Sequence, residues 1–396
     1  MALIHLFDDD IARVQHRTKH EAEPLFAYYN TSARPSVSAL RGLLEQWFDQ
    51  YPEEAKTDLR ERFRSPIDVQ HQAAFFELYV HRLVSCMGYE LKPHPDIPGS
   101  SSHPDFLVCK GGTAVLYLEI TIAASSAEEQ AQEKRAAVVY DTLNGLDSPN
   151  FFLHIDVRGA PKTPPAGARL REDLHKWLAP LDPDVIARRL SEFGLDGLPT
   201  LEWQHDGWSL TFSPIPKAPE NRGKTGLRPL GSRMSGGWSR SHKPLRVAVN
   251  SKTKKYTNVE LPLVIAVNVL DESADDFDVM NALLGEECIT FAVYADGRSV
   301  EPHETRKRNG AWTGPRDPQG RDVSAVMVAY HLNPWRMAEE SPRLIHHPWA
   351  RRPLAPGFWP LDRWVPDTRA GRYHTLSGKA AVDLLGLPNP WPPDND

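Results

Sequence analysis

Cysteine is scarce in this chain. Its three cysteines, Cys86, Cys109 and Cys288, lie far apart and form no C-x-x-C pair. That excludes a disulfide framework and argues against a structural zinc site. Apolar runs of the ~18 residues that a membrane helix needs are also missing. The opening MALIHLFDDDIARVQH has an apolar patch but neither a basic n-region nor a small-residue cleavage site, so it does not read as a signal peptide. The expectation is a cytoplasmic protein with no membrane partner. No G-x-x-x-x-G-K-[ST] loop occurs, which argues against nucleotide-driven translocation within this chain. Nor is there an excess of positive charge. Lys and Arg number 46 against 52 Asp and Glu, giving a net charge of −6, unlike a generic polyanion binder.

The 396 residues, 40% of them apolar, suffice for about two to three domains at roughly 150 residues each. Charge is segregated along the chain. Between Lys217 and Lys255 stand eleven Lys or Arg and one acid, Glu220; between Asp271 and Glu287 stand seven acids and no base. Proline is abundant at 35 residues and is concentrated in the last third, where loop and extended chain are expected.

Residues 1–64 read as an N-terminal helical segment, with apolar residues at three- and four-residue spacing. Ser65-Pro66-Ile67-Asp68 reads as a helix start, with Ser65 as cap. The helix runs through AAFFELYVHRLVSCM to Gly88. A short strand is predicted at Tyr89–Lys92, then strands Phe106–Cys109 and Ala114–Ile122 around a Lys110-Gly111-Gly112 turn. A helix at Ser125–Leu146 and a strand at Phe151–Val157 follow. Beyond Gly159, short helices are expected at Leu170–Leu178 and Val185–Phe193, and strands at Gly207–Phe212, Leu261–Leu270, Ile289–Tyr294 and Val323–Tyr330. Segment 217–243, rich in Gly, Ser and Arg, reads as a long loop.

Three carboxylates stand out by their setting. Glu77 sits mid-helix among Ala73, Phe76, Val80 and Val84; Asp105 opens the strand PDFLV; Glu119 lies inside the apolar strand VLYLEITI. An acid within an apolar strand is costly unless paired or bound to a cation. Two strands joined by a tight hairpin can set Asp105 beside Glu119, and a hard cation would relieve their repulsion. Taken singly, Glu77 also reads as a helix acid near His81, and Asp105 as a turn former. Asp96, in a Gly/Ser-rich loop, reads as a turn residue.

Helix acid, then Pro104-Asp105, then Glu119-x-Thr121 on the next strand: this order resembles the PD-(D/E)XK nuclease superfamily, over about residues 65–160. The resemblance implies an α/β fold with a restriction-endonuclease-like core, a mixed sheet flanked by helices. It also implies Mg²⁺ (or Mn²⁺) held by Asp105, Glu119 and Glu77. The family's lysine, two residues after the strand acid, is Thr121 here. Lys134 on the following helix is the expected substitute, with Lys92 and Lys110 as alternatives. The function this implies is metal-dependent hydrolysis of DNA phosphodiesters, in a setting such as bacterial restriction or anti-phage defence. Two rivals stand beside it: a catalytically silent nucleic-acid-binding or regulatory subunit, which Thr121 favours, and RNA cleavage.

The basic segment supplies the expected phosphate contacts, namely Lys252, Lys254, Lys255, Arg228 and Arg233. Its alternative is a solvated surface balanced by the acidic run, which carries Phe277, Val279, Met280, Leu283 and Leu284 at helical spacing. The expected division is a helical segment 1–64, a nuclease-like core 65–160, an α+β region 161–332 and a Pro/Trp-rich segment 333–396. His346-His347 is given no role, and homo-oligomerisation is left open.

Overall fold

The computed structural model of the chain describes residues 4–97, 102–224, 226, 228–235, 241–257, 259–290, 303–315, 318–367, 369 and 371–393. In chain order, helices α1 (Leu25–Thr31), α2 (Pro35–Asp49), α3 (Lys56–Phe63) and α4 (Asp68–Cys86) lead to strands β1 (Glu90–Pro93), β2 (Phe106–Lys110) and β3 (Thr113–Ala123). Next come α5 (Ala127–Asn144), β4 (Phe151–Arg158), α6 (Gly167–Leu178), α7 (Pro183–Phe193), β5 (Leu201–His205), β6 (Trp208–Pro216) and β7 (Leu230–Ser235). The chain continues with α8 (His242–Thr253), β8 (Leu263–Val269), α9 (Asp276–Leu284), β9 (Glu287–Thr290), β10 (His303–Arg306) and β11 (Val323–Tyr330). It closes with β12 (Arg343–His346), β13 (Arg363–Asp367), β14 (Arg372–Leu376) and α10 (Ala381–Leu385).

The chain divides into two compact units. The first holds Met1–Arg17, Pro24–Ser125 and Ser239–Asp396; the second holds Thr18–Glu23 and Ser126–Trp238. The sequence-based boundaries at 64, 160 and 332 do not coincide with this division. In particular, α5 and β4, expected to complete a core begun by α4, belong to the second unit. The elements that follow β3 within the first unit are α8 and β8.

Among the described residues, the first unit carries an eight-stranded mixed sheet ordered β1-β2-β3-β8-β11-β12-β13-β14. The β2–β3 hairpin closes between Lys110 and Thr113. Its two turn residues, Gly111 and Gly112, have φ of 55° and 78°, the positive values that a tight two-residue hairpin turn demands. β8 then pairs parallel with β3, and β11 parallel with β8. A parallel neighbour requires a crossover, and here α8 ends it. The pleat sends alternate residues of β3 to opposite faces. Leu116, Leu118 and Ile120 join one buried cluster with α2 and α4, while Tyr117 and Ala123 join another with Leu245 and Val249 of α8. Helices therefore cover both faces of the sheet.

The second unit has its own four-stranded sheet, β5-β6-β4-β7, and its own core, which includes Leu143, Leu153, Leu174, Trp208 and Phe212. A reciprocal capping box starts α5: Ser126 Oγ accepts from Glu129 N, and the Glu129 carboxylate accepts from Ser126 N.

Three local expectations are corrected. Residues 8–24 hold no helix, and side chains take several of their backbone N–H groups: Asp8 N donates to Asn30, His20 N to Glu23, and Glu21 N and Ala22 N to Asp141. The N-cap of α4 is Ile67, and Ser65 instead accepts from Ile67 N and donates to Gln70. Segment 217–243 is no continuous loop, since β7 and the start of α8 lie within it. Of the strand expected at 289–294, residues 291–294 lie outside the described residues. No described helix is long and apolar enough to cross a membrane.

Candidate active site

Asp105 precedes β2, whose Phe106 pairs with Leu118 of β3, so the antiparallel register sets Asp105 opposite Glu119. Both side chains fall on the face that α8 covers, as does Thr121 two residues further along. Glu119 is 2% exposed. Asp105 is half-buried, and its Oδ2 accepts from the Ile120 backbone N–H at 2.6 Å. Burial, then the Glu119 charge, then the Glu77 charge push the Asp105 carboxyl up to about 7. The Ile120 N–H and the Lys252 charge work against this rise but do not cancel it.

The ammonium beside this pair comes from α8. Lys252 Nζ lies 2.6 Å from Glu119 Oε1, and the Tyr256 hydroxyl lies 2.7 Å from Oε2. The same hydroxyl approaches the carbonyl of His103 at 2.9 Å, on the loop that leads to Asp105. Burial and the hydrogen bond to Glu119 push the Tyr256 phenol far up, so it remains a donor. A buried carboxylate is tolerable when it is paired and hydrogen-bonded at both oxygens, and this arrangement provides both.

Glu77 approaches from α4, on the opposite side of the sheet, and is already committed. Arg62 forks onto it, with Nη1 to Oε2 at 2.8 Å and Nη2 to Oε1 at 3.1 Å. The Tyr51 hydroxyl donates to Oε1 at 2.6 Å, and Asp58 holds the other side of Arg62. The neighbouring His81 ring lies tilted against Tyr51 with centroids 4.8 Å apart, and burial holds it down to about 4, a neutral imidazole. Glu77 therefore acts on Asp105 through its charge, from within its own ion pair. Among the described residues, no three His, Cys, Asp or Glu side chains gather as a cluster that could hold a metal ion.

Comparison with known proteins returns nothing: no family model, no curated protein and no solved structure matches this chain.

The structure places the remaining predicted residues as follows. Lys134 is exposed on α5, in the second unit, and the lysine beside Glu119 is Lys252 instead. Lys92 is exposed on β1, and Lys110 lies over the Tyr89 ring at 5.1 Å. Thr121 pairs with Val267 of β8. The basic segment is divided between the units. Arg228 donates to the carbonyls of Thr18 and Lys19, while Arg233 lies over the Tyr140 ring and pairs with Glu21, all within the second unit. Lys217 is buried on the Ser148 carbonyl. Lys254 and Lys255 are exposed just past the end of α8. The acidic run meets the start of α8 through His242 and Arg246, not Lys252.

Sequence reasoning missed the Tyr256, Tyr51 and Arg62 contacts to the two buried glutamates, and it did not foresee that Lys252 pairs with Glu119. Tyr256 lies three residues past the end of α8 at Thr253, so helical spacing from Lys252 gives no signal for it. No local signal ties Arg62 to Glu77, fifteen residues away across the α3–α4 corner.

Proposed function

We propose that this chain is a metal-dependent nuclease whose active site is Asp105, Glu119 and Lys252. The observation that carries the reading is the Lys252 ammonium 2.6 Å from Glu119, in a site where Asp105 faces Glu119 across two antiparallel strands. It supplies from α8 the cation that the sequence lacks at Thr121. The order α4-β1-β2-β3-α8-β8, with β8 parallel to β3, supports a restriction-endonuclease-like core interrupted by the second unit.

The donor set fits a hard divalent cation. The Asp105 carboxyl is raised by burial first and by the Glu119 and Glu77 charges next, and among the described residues its Oδ1 has no hydrogen-bond partner. Asp105 and Glu119 would hold Mg²⁺ or Mn²⁺, and Glu77 would add long-range negative charge. A bound divalent ion would neutralise charge on a phosphodiester and make water a competent nucleophile at neutral pH. The chain's own residues prepare the site. Lys252 spends one N–H on Glu119 and keeps two donors for a phosphate oxygen or the attacking water. Tyr256 fixes the Glu119 rotamer, and the Ile120 N–H fixes that of Asp105. DNA is the proposed substrate, with RNA as a second, and a role in restriction or anti-phage defence goes with this reading.

A silent nucleic-acid-binding subunit is the second reading. It is favoured by Glu119 having both oxygens occupied by Lys252 and Tyr256. Incubation of purified protein with plasmid DNA and with RNA, in Mg²⁺, Mn²⁺ or EDTA, separates the two. Cutting that EDTA abolishes supports the nuclease, and intact substrate in every tube supports the silent subunit.

A further inference from the structure

A second polar feature lies on the same helix as Lys252. Near the end of α8 a recess of about 450 Å³ opens between Asn250, Thr253, Lys254 and Thr257 on one side and residues 318–322 and Arg351 on the other. That volume is in the range of ligand sites. Its charged lining is Lys254, Arg321 and Arg351 against one acid, Asp322. Arg351 is committed, with Nη1 at 2.9 Å and 3.1 Å from the two Asp322 oxygens. Arg321 is tethered only at Nε, which donates to the Trp349 carbonyl at 2.9 Å and leaves both Nη groups without an ion pair among the described residues. Lys254 likewise has no ion-pair partner among the described residues. Two unneutralised cations thus share one concave site, with the Asn250 amide and the Thr257 hydroxyl beside them. A concave lining with two cations that have no ion-pair partner among the described residues favours an anion.

The register relates this recess to the carboxylates. Glu119 pairs with Ile265, and Ile265 pairs with Val326 of β11. Residues 320–322 precede β11, so they lie four to six residues along the strand from the Glu119 row. At about 3.3 Å per residue that is about 13–20 Å along the strand, with two strand spacings of about 4.8 Å across the sheet. Lys252 and Lys254, two positions apart at the end of a helix, project about 200° apart around its axis. One reaches Glu119 and the other enters the recess.

We propose that the recess is a phosphate subsite, which takes a backbone phosphate of the nucleic-acid strand cleaved at Asp105 and Glu119. The proposal rests on the nuclease reading for the identity of the strand, and on the recess alone for the phosphate. Lys254 and the free Nη groups of Arg321 hold the phosphate oxygens, and Thr257 and Asn250 add neutral donors.

The test measures binding of a fluorescent 20-mer, as DNA and as RNA, to the full chain in EDTA, where no cleavage can occur. Lys254→Ala/Arg321→Ala should lose about tenfold or more in affinity and flatten the salt dependence by about one phosphate contact. Lys379→Ala, an exposed lysine of the same unit outside the recess, should stay within about twofold of wild type. Thermal melting of each variant at the wild-type temperature guards against unfolding. The proposal is overturned if the double variant binds like wild type, if Lys379→Ala loses as much, or if the wild type binds neither strand. AMP as a competitor distinguishes sources: displacement only at far higher phosphate concentration than the oligonucleotide supports a backbone phosphate, whereas tight AMP binding without oligonucleotide binding overturns it. Cleavage in Mg²⁺ is scored separately. Recess-dependent binding without cutting defeats the nuclease reading alone, and cutting with recess-independent binding defeats the subsite alone.

Discussion

Replacing Asp105 by asparagine should make the folded chain more stable at pH 8 while removing the proposed activity. The carboxyl rises from its usual 3.8 to about 7 because folding buries it beside Glu119 and Glu77. A rise of that size corresponds to about 4 kcal/mol between the protonation states. The side chain is only half-buried, so solvent and ions screen part of it, and about 2 kcal/mol is the working figure. The sign follows from linkage. Between about pH 4 and 7 the folded state holds a proton that the unfolded state has lost, so this group's contribution falls as pH rises. Above about 7 the full penalty applies. Asparagine never ionises, yet its side-chain oxygen can still accept from the Ile120 N–H. In EDTA, Asp105→Asn should therefore melt near wild type at pH 4.5 and about 4 °C higher at pH 8. Equal melting temperatures at pH 8, or a gain that does not depend on pH, would refute the claim that the Asp105 charge is strained by its neighbours.

Divalent ions should relieve the same strain. Mg²⁺ or Mn²⁺ at a concentration 100-fold above its dissociation constant should stabilise the wild type by about 2.7 kcal/mol; differential scanning fluorimetry should show the shift in the wild type and lose most of it in Asp105→Asn. Lys252→Met leaves Glu119 buried without its cation and should cost about 3 kcal/mol in urea melts, whereas the Lys252→Met/Glu119→Gln double variant should recover most of that. Arg62→Ala should destabilise by a similar amount through Glu77, and Glu77→Gln should partly restore it; additive losses in that cycle would mean that the two side chains do not act as a pair.

The parts of the fold written in local pattern were legible in the sequence. The α4 helix, the β2–β3 hairpin with its Gly111-Gly112 turn, and the buried strands at 263–269 and 323–330 all follow from apolar spacing and turn chemistry. The placing of Asp105 opposite Glu119 followed from the same hairpin. What sequence could not give was the partner of β3. The chain leaves the first unit at Ser125 and returns only at Ser239, so the next helix and strand, α5 and β4, look like the continuation and are not. That interruption also hides the pairing of Lys252 with Glu119. It is 133 residues from Glu119, and only tertiary structure brings the two together. The partners of Arg228 and Arg233 were hidden for another reason, because a run of basic residues looks alike whether its members are free or each held by a carbonyl, a ring or an acid.

The measurement that bears most directly on the central claim is the rate of supercoiled-plasmid cleavage in Mn²⁺ by the wild type and by Glu119→Gln. Glutamine preserves the side-chain shape but removes the charge that pairs with Lys252 and that would hold a divalent ion. The account predicts EDTA-sensitive cutting by the wild type and a rate at least about 100-fold lower in the variant, with the fold intact by circular dichroism. Cutting by Glu119→Gln at the wild-type rate would contradict it and place the chemistry elsewhere in the chain.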